Sequence, residues 1–208
     1  MRETIRACRA ATAADFPIGV KLNSSDFQQG GFSTDDCVQV VRWLGEEGVD
    51  LLELSGGSYE QPSMMGVRPK GEVPPPVADS TRRREAYFLD YARTIRAAAS
   101  MPVMVTGGFR SRAAMDEALA DGQLDMIGLG RPMCVDTDLP RRLFSRDWAQ
   151  AESYERSIEP PRAGLAWFCF QLIRIGDGLA PVRELTGAEA IAKYAQSEAA
   201  AAQALTGR

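Results

Sequence analysis

The sequence predicts an α/β fold of parallel strands, and two observations predict it. Four short apolar or β-branched runs, PIGVKLNSSD (17–26), VDLLELSGG (49–57), MPVMVTGG (101–108) and LDMIGLGRP (124–132), each end in small or polar residues. Between them lie stretches whose apolar residues recur at helical spacing. Alternating strand and helix implies parallel strands joined by right-handed crossovers, with the C-terminal strand ends carrying any site.

Taken in order, Arg2 to Ala11 reads as a helix whose preceding strand lies outside the chain. Ser33 to Asp36 reads as an N-terminal cap, followed by Cys37, Val41, Leu44 and Gly48 at helical spacing. Phe88, Tyr91, Ile95 and Ala99 mark the apolar face of a second crossover helix. Ser111 caps a third, which carries Met115 and Leu119 and stops at Asp121-Gly122. The segment 56–82 holds Pro62, Pro69, Pro74, Pro75 and Pro76 and reads as irregular, either a substrate-side loop or an insertion. After about residue 145 the strand signals stop. Leu165, Phe168, Leu172 and Ile175 predict a packed helix, and 187–204 an Ala-rich helix with little to offer a core. The expected division is 1–145, strands and crossovers, and 146–208, a helical tail.

Composition narrows the function. The chain has 208 residues, 45% hydrophobic and 25% charged, which excludes a disordered chain. A net charge of -4 argues against the basic footprint of a nucleic-acid binder and favours a small-molecule substrate. No apolar run approaches the roughly 20 residues of a membrane span, and the start MRETIRACRAATAADF has no signal-peptide core. A cytoplasmic protein is expected. Cys8, Cys37, Cys134 and Cys169 show no CxxC spacing, so neither a metal site nor a disulfide framework is indicated, and mostly buried thiols are expected. The absence of any histidine excludes a His-dependent triad, acid-base catalyst or metal ligand from this chain.

Two strand ends suggest a phosphate. Gly107-Gly108 follows the third strand and Gly130-Arg131 the fourth; glycines leave backbone N–H groups unobstructed, and Arg131 can add charge-assisted hydrogen bonds. Asp138-Leu139-Pro140 begins a short helix, a further element of such sites. The plainer alternative is that the glycines make tight turns and Arg131 is a solvated charge. Lys21, between Val20 and Leu22, projects from the face opposite to both. It either stabilises an anion at the strand ends or forms a buried salt bridge, with Glu53 on the next strand as the candidate partner.

The stretches FPIGVKLNSSDFQQGGFS, GVDLLELSGGSYEQP, MPVMVTGGFRS and DMIGLGRPMCVDTDLPRRL together resemble the C-terminal half of the old yellow enzyme family of NADH:flavin oxidoreductases. The resemblance covers roughly residues 1–145 and continues weakly through PPRAGLAWFCFQL. It implies about four β/α units of a TIM (β/α)8 barrel, followed by C-terminal helices, with FMN held non-covalently at the strand ends. NAD(P)H would reduce the flavin, and an electrophilic acceptor such as an activated alkene would reoxidise it. By position, Lys21 matches the cation at the flavin pyrimidine edge, where many members carry Arg. Gly107, Gly108, Gly130 and Arg131 match the loops around the FMN phosphate.

The same resemblance leaves strands one to four without a counterpart, and with them the family's substrate-binding His pair and its proton-donating tyrosine. No catalytic acid is assigned. Half a barrel exposes two unpaired strand edges and an inner face, so a second copy or a complementary half-barrel chain is an expected partner. Purified alone, the chain is expected to hold FMN weakly or not at all. Two other readings stay open: a non-catalytic truncated or split fragment, and a phosphate-binding barrel that handles a sugar phosphate.

Overall fold

The computed structural model describes residues 1–26, 30–55 and 89–207, the side chains of 89 and 90 apart. The expected loop 56–82 and Phe88 lie outside the described residues. The chain forms two compact units, Met1–Leu129 and Gly130–Arg208.

In the first unit the elements alternate: α1 (Arg2–Ala11), β1 (Gly19–Asn23), α2 (Thr34–Glu46), β2 (Leu51–Ser55), α3 (Leu89–Ala98), β3 (Val103–Thr106), α4 (Arg112–Ala120) and β4 (Met126–Gly128). The strands form one sheet in the order β1-β2-β3-β4, every neighbouring pair parallel. In sequence order and all parallel, they follow the alternation of apolar runs and helical stretches.

Each sheet face has its own character because side chains alternate. Leu52, Leu54, Val103 and Val105 share one face and are fully buried. That face makes the core with Cys37, Val41 and Leu44 of α2 and Ala92 and Ile95 of α3, all without solvent exposure. The other face carries Lys21, Glu53, Met104 and Met126 as one cross-strand row. Met126 keeps 47% of its surface exposed there, so this second face is open.

Helix starts follow their caps. Ser33 and Asp36 form a complete capping box at α2, and Ser111 Oγ accepts from the Ala114 amide at α4. The α4 helix ends at Asp121, and Gly122 follows with φ 64°. One expected core position fails: Leu119 is 41% exposed, while Ala114, Met115 and Ala118 face the core. Position 119 lies a full turn from Met115 but toward the helix end, where the buried stripe has passed to Ala118.

Acids stitch the N-terminal end of the sheet. Asp50 accepts from the Ile18 amide at 2.8 Å and from Arg9 at 2.6 Å, joining α1 to the entries of β1 and β2. Asp125 repeats the device at β4, accepting from the Val103 amide at 2.8 Å and pairing with Arg96 at 3.0 Å. Arg2 and Arg6 both reach Glu47 at 2.5 Å, fastening α1 to the end of α2. The hydrogen bond from Arg6 lowers the Glu47 pKa first; burial opposes it, Arg2 adds to it, and the carboxyl falls to about 2.

The second unit contains α5 (Leu139–Phe144), α6 (Gly164–Gly176) and α7 (Gly187–Thr206), with 3-10 turns at Arg131–Cys134, Tyr154–Arg156 and Pro161–Ala163. Its core is Val135, Ile158, Ala163, Trp167, Phe168 and Ala190. Trp167 donates its indole N–H to the Leu185 carbonyl at 2.8 Å. Gln171, fully buried, satisfies both ends of its amide on the Val182 backbone at 2.8 Å each. The buried face of α6 is therefore Ala166, Trp167, Phe168 and Gln171, not the expected Leu165 and Leu172, which are 62% and 52% exposed. Aromatic bulk and a two-ended amide select the face here, which a count of leucines misses. Helix α7 buries only Gly187 and Ala190, as its Ala-rich composition predicts. Gly187 packs so closely that an added Cβ would strike the Glu159 carbonyl.

Candidate functional site

In the first unit the candidate site lies on the open face and at the C-terminal strand ends. Lys21 and Glu53 are register partners on β1 and β2, with Nζ and Oε1 2.6 Å apart. Their side chains are 56% and 22% exposed, so the pair is real but not buried. This corrects the buried-bridge alternative: the open face leaves the ammonium in contact with solvent. Burial pushes the Glu53 carboxyl up, but the Lys21 hydrogen bond and charge outweigh it, and the net shift is downward. The Thr106 hydroxyl adds a smaller lowering influence.

One step toward the strand ends come Asn23, opposite Ser55, and Thr106, opposite Gly128. A Cβ at Gly128 would collide with Thr106 Oγ1, so glycine is required there by close approach. The loop leaving β1 is clamped by Asp26, whose carboxylate accepts from Asn23 Nδ2 and from the Phe32 amide, both at 3.0 Å. Its own amide donates back to the Phe32 carbonyl at 3.0 Å. The pattern NSSD announces a turn, but nothing in it names Phe32 as the partner.

Gly107 and Gly108 leave β3 with φ of 133° and 80°, conformations that L side chains rarely adopt. Both glycines are half-buried, and backbone of this kind is the sort from which anion-binding nests are made. Phe109 and Arg110 follow, both buried, with Arg110 Nη1 donating to the Phe109 carbonyl at 2.7 Å.

In the second unit Gly130 heads the 3-10 turn Arg131–Cys134, and an added Cβ would meet nothing within 4 Å. Arg131 pairs loosely with Glu155, Nη1 to Oε1 3.7 Å, the side chains 33% and 25% exposed. The short helix α5 does start at Leu139, but its amino end carries the Asp138 carboxylate. Asp138 bonds Arg142 at 2.6 Å, and that hydrogen bond holds its pKa below the usual value. Asp138 is thus engaged with a cation of its own helix and makes no side-chain cap.

Sequence reasoning missed a second-unit network. Asp136, 3% exposed, accepts from Tyr154 Oη at 2.8 Å and from Arg183 Nη2 at 2.6 Å. Tyr154 stacks on Trp167 with centroids 5.9 Å apart, and Arg183 lies over the Tyr154 ring. The same 3-10 turn thus carries Tyr154, bonded to Asp136, and Glu155, paired with Arg131. The separation of 47 residues between Asp136 and Arg183 hides the pair from any local pattern.

All four cysteines are free thiols, but the expectation of mostly buried ones is corrected: Cys37 alone is buried, Cys134 and Cys169 are half-buried and Cys8 is exposed. Burial pushes the Cys37 thiol up to about 12, so it is inert. Among the described residues no cluster of His, Cys, Asp or Glu has the makings of a metal site. Among them, too, no helix is long and apolar enough to cross a membrane.

Four parallel strands with interleaved helices define the class: part of a (β/α)8 barrel. Solved structures agree on the fold. A 2-naphthoyl-CoA reductase superposes with a TM-score of 0.59 at 20% identity, over 74% of this chain and 22% of that one. Histamine dehydrogenase from Rhizobium sp. 4-9 superposes with 0.54 at 23% identity, over 70% of this chain and 19% of that one. The family model of the NADH:flavin oxidoreductase / NADH oxidase family matches residues 1–147, and the chain belongs to that family. Among curated relatives, the NADH-dependent flavin oxidoreductase iccE of Talaromyces variabilis is 38% identical over 80% of this chain and 39% of its own length. The iliE protein of Neonectria sp. (strain DH2), described in the same words, is 38% identical over 67% of this chain and 18% of its own. The chain thus spans well under half the length of these relatives.

Proposed function

We propose that this chain carries the FMN-binding portion of an oxidoreductase that uses NAD(P)H and acts on a small electrophilic acceptor. The observation that carries the reading is the cation on the open face, Lys21, on the same sheet as the positive-φ pair Gly107-Gly108, in a chain of this family. These groups fit an FMN: glycine backbone at positive φ suits phosphate oxygens, and an exposed ammonium suits an electron-rich ring edge. Bound flavin would supply the redox chemistry, taking a hydride from NAD(P)H and passing it to an acceptor such as an activated alkene.

The chain's own part is to bind and orient. Gly107 and Gly108 would offer backbone N–H groups to phosphate oxygens and Lys21 would meet the electron-rich ring edge, while the family resemblance assigns Gly130 and Arg131, in the second unit, a phosphate role of their own. The barrel portion runs to about residue 145, the helical tail follows, and the setting is the cytoplasm. No residue is assigned as the proton donor. The test is flavin identity and saturable binding: the purified full chain is denatured, released flavin is identified, and the protein is titrated with FMN. Weak saturable binding is expected, with a Kd between about 1 µM and about 1 mM, or roughly −8 to −4 kcal/mol. Release of FAD, or riboflavin bound as tightly as FMN, contradicts the reading, and a lone chain that binds no flavin favours the second reading below.

A second reading has its own observation. Strands β1 and β4 end the sheet among the described residues, and its second face is open. Edges left at β1 and β4 and an open face that includes Met104 and Met126 call for a cover. A complementary half-barrel chain or a second copy would provide one, and the lone chain would then be non-catalytic. Sedimentation of the purified chain distinguishes a monomer from a dimer.

A further inference from the structure

The row that holds Lys21 contains one cation and one carboxylate, followed by Met104 and Met126. Glu53 therefore sits between the ammonium and an apolar stretch of the open face, and its carboxylate touches Nζ at 2.6 Å. A pair this tight presents a dipole at longer range, because the two fields nearly cancel a few ångströms away. We propose that Glu53 is a positioning residue that fixes the Lys21 ammonium on the open face and offsets its charge, so that Lys21 offers a bound flavin less than a full positive charge. This rests on the reading that Lys21 meets the flavin pyrimidine edge.

The consequence concerns which redox state the site favours. Reduced FMN carries added negative charge at that edge, and oxidised FMN does not. Removing the carboxylate while keeping Lys21 then tightens binding of reduced FMN selectively. The Lys21 end of the pair is 56% exposed, so a purely structural role predicts little change in either state.

The experiment uses the full chain and four variants, Glu53→Gln, Glu53→Ala, Glu53→Asp and Lys21→Met. Each is titrated anaerobically with oxidised FMN and with dithionite-reduced FMN, and the ratio of the two dissociation constants is compared. Glu53→Gln and Glu53→Ala are expected to favour reduced FMN by roughly tenfold over wild type. That equals about 30 mV for a two-electron couple. Glu53→Asp stays near wild type, and Lys21→Met shifts the ratio the other way. Two charge-removing variants guard against one that fails to fold. If both leave the ratio unchanged or lower while Lys21→Met lowers it, the Glu53 role is overturned and the Lys21 reading survives. If Lys21→Met leaves the ratio at the wild-type value, or wild type binds neither form, the underlying reading fails and takes the Glu53 role with it.

Discussion

Replacing Tyr154 by Phe removes one hydroxyl from a buried carboxylate and leaves the ring in place. In the native protein Asp136 is 3% exposed and accepts from Tyr154 Oη at 2.8 Å and Arg183 at 2.6 Å. Phe keeps the stack on Trp167, so little apolar contact is lost. A hydrogen bond to a charged group contributes about 1.5–3 kcal/mol, and at 3% exposure Asp136 gives water little access to replace the phenol. The expected loss is therefore about 1.5–3 kcal/mol in the unfolding free energy of the second unit. Denaturant titration followed by tryptophan fluorescence measures it, because Trp167 lies in that unit's core. A second readout is the phenol itself: burial, then the hydrogen bond to Asp136 and its charge, push Tyr154 up to about 12 from an ordinary 10. Ultraviolet titration should show Tyr154 ionising late, and Asp136→Asn should bring it part of the way down, burial being the larger cause. A Tyr154→Phe protein within about 0.5 kcal/mol of wild type would refute the reasoning, since a change that small is typical of an exposed surface site.

Glu47, held near pKa 2 against an ordinary 4.5, contributes stability that is complete above about pH 5 and is lost as pH falls toward 2. The melting temperature of wild type should therefore fall over that window more steeply than that of Glu47→Gln. Leu54, fully buried under the sheet, should cost about 2–5 kcal/mol when changed to Ala, measured by denaturant unfolding of the first unit. Gly108→Ala forces a side chain onto φ 80° and should cost about 1–2 kcal/mol while weakening FMN binding more than riboflavin binding.

Elements with local causes were legible in the sequence. The cap at Ser33, the stop at Asp121 and the four strand runs depend on neighbours within a few positions, and the structure places them as read. The pairing of Lys21 with Glu53 was legible too, because parallel register puts equivalent positions of successive strands side by side. What failed depended on surfaces rather than spacing. Leu165 and Leu172 have helical spacing but lie off the face that Trp167 and Gln171 bury. Asp136, Tyr154 and Arg183 meet from three separate segments, and no spacing rule links them. The short helix at Leu139 was anticipated, but the pairing of Asp138 with Arg142 at its amino end was not.

On the proposed function, this chain recognises the phosphate of FMN, with Arg131 as its candidate charge. Comparing FMN with riboflavin, which lacks the phosphate, tests it most directly in wild type and Arg131→Ala. The account predicts that wild type prefers FMN by at least about tenfold, the lower end of what a charge-assisted hydrogen bond contributes, and that Arg131→Ala loses most of that preference. Equal affinity for the two flavins, or a preference untouched by Arg131→Ala, would contradict it.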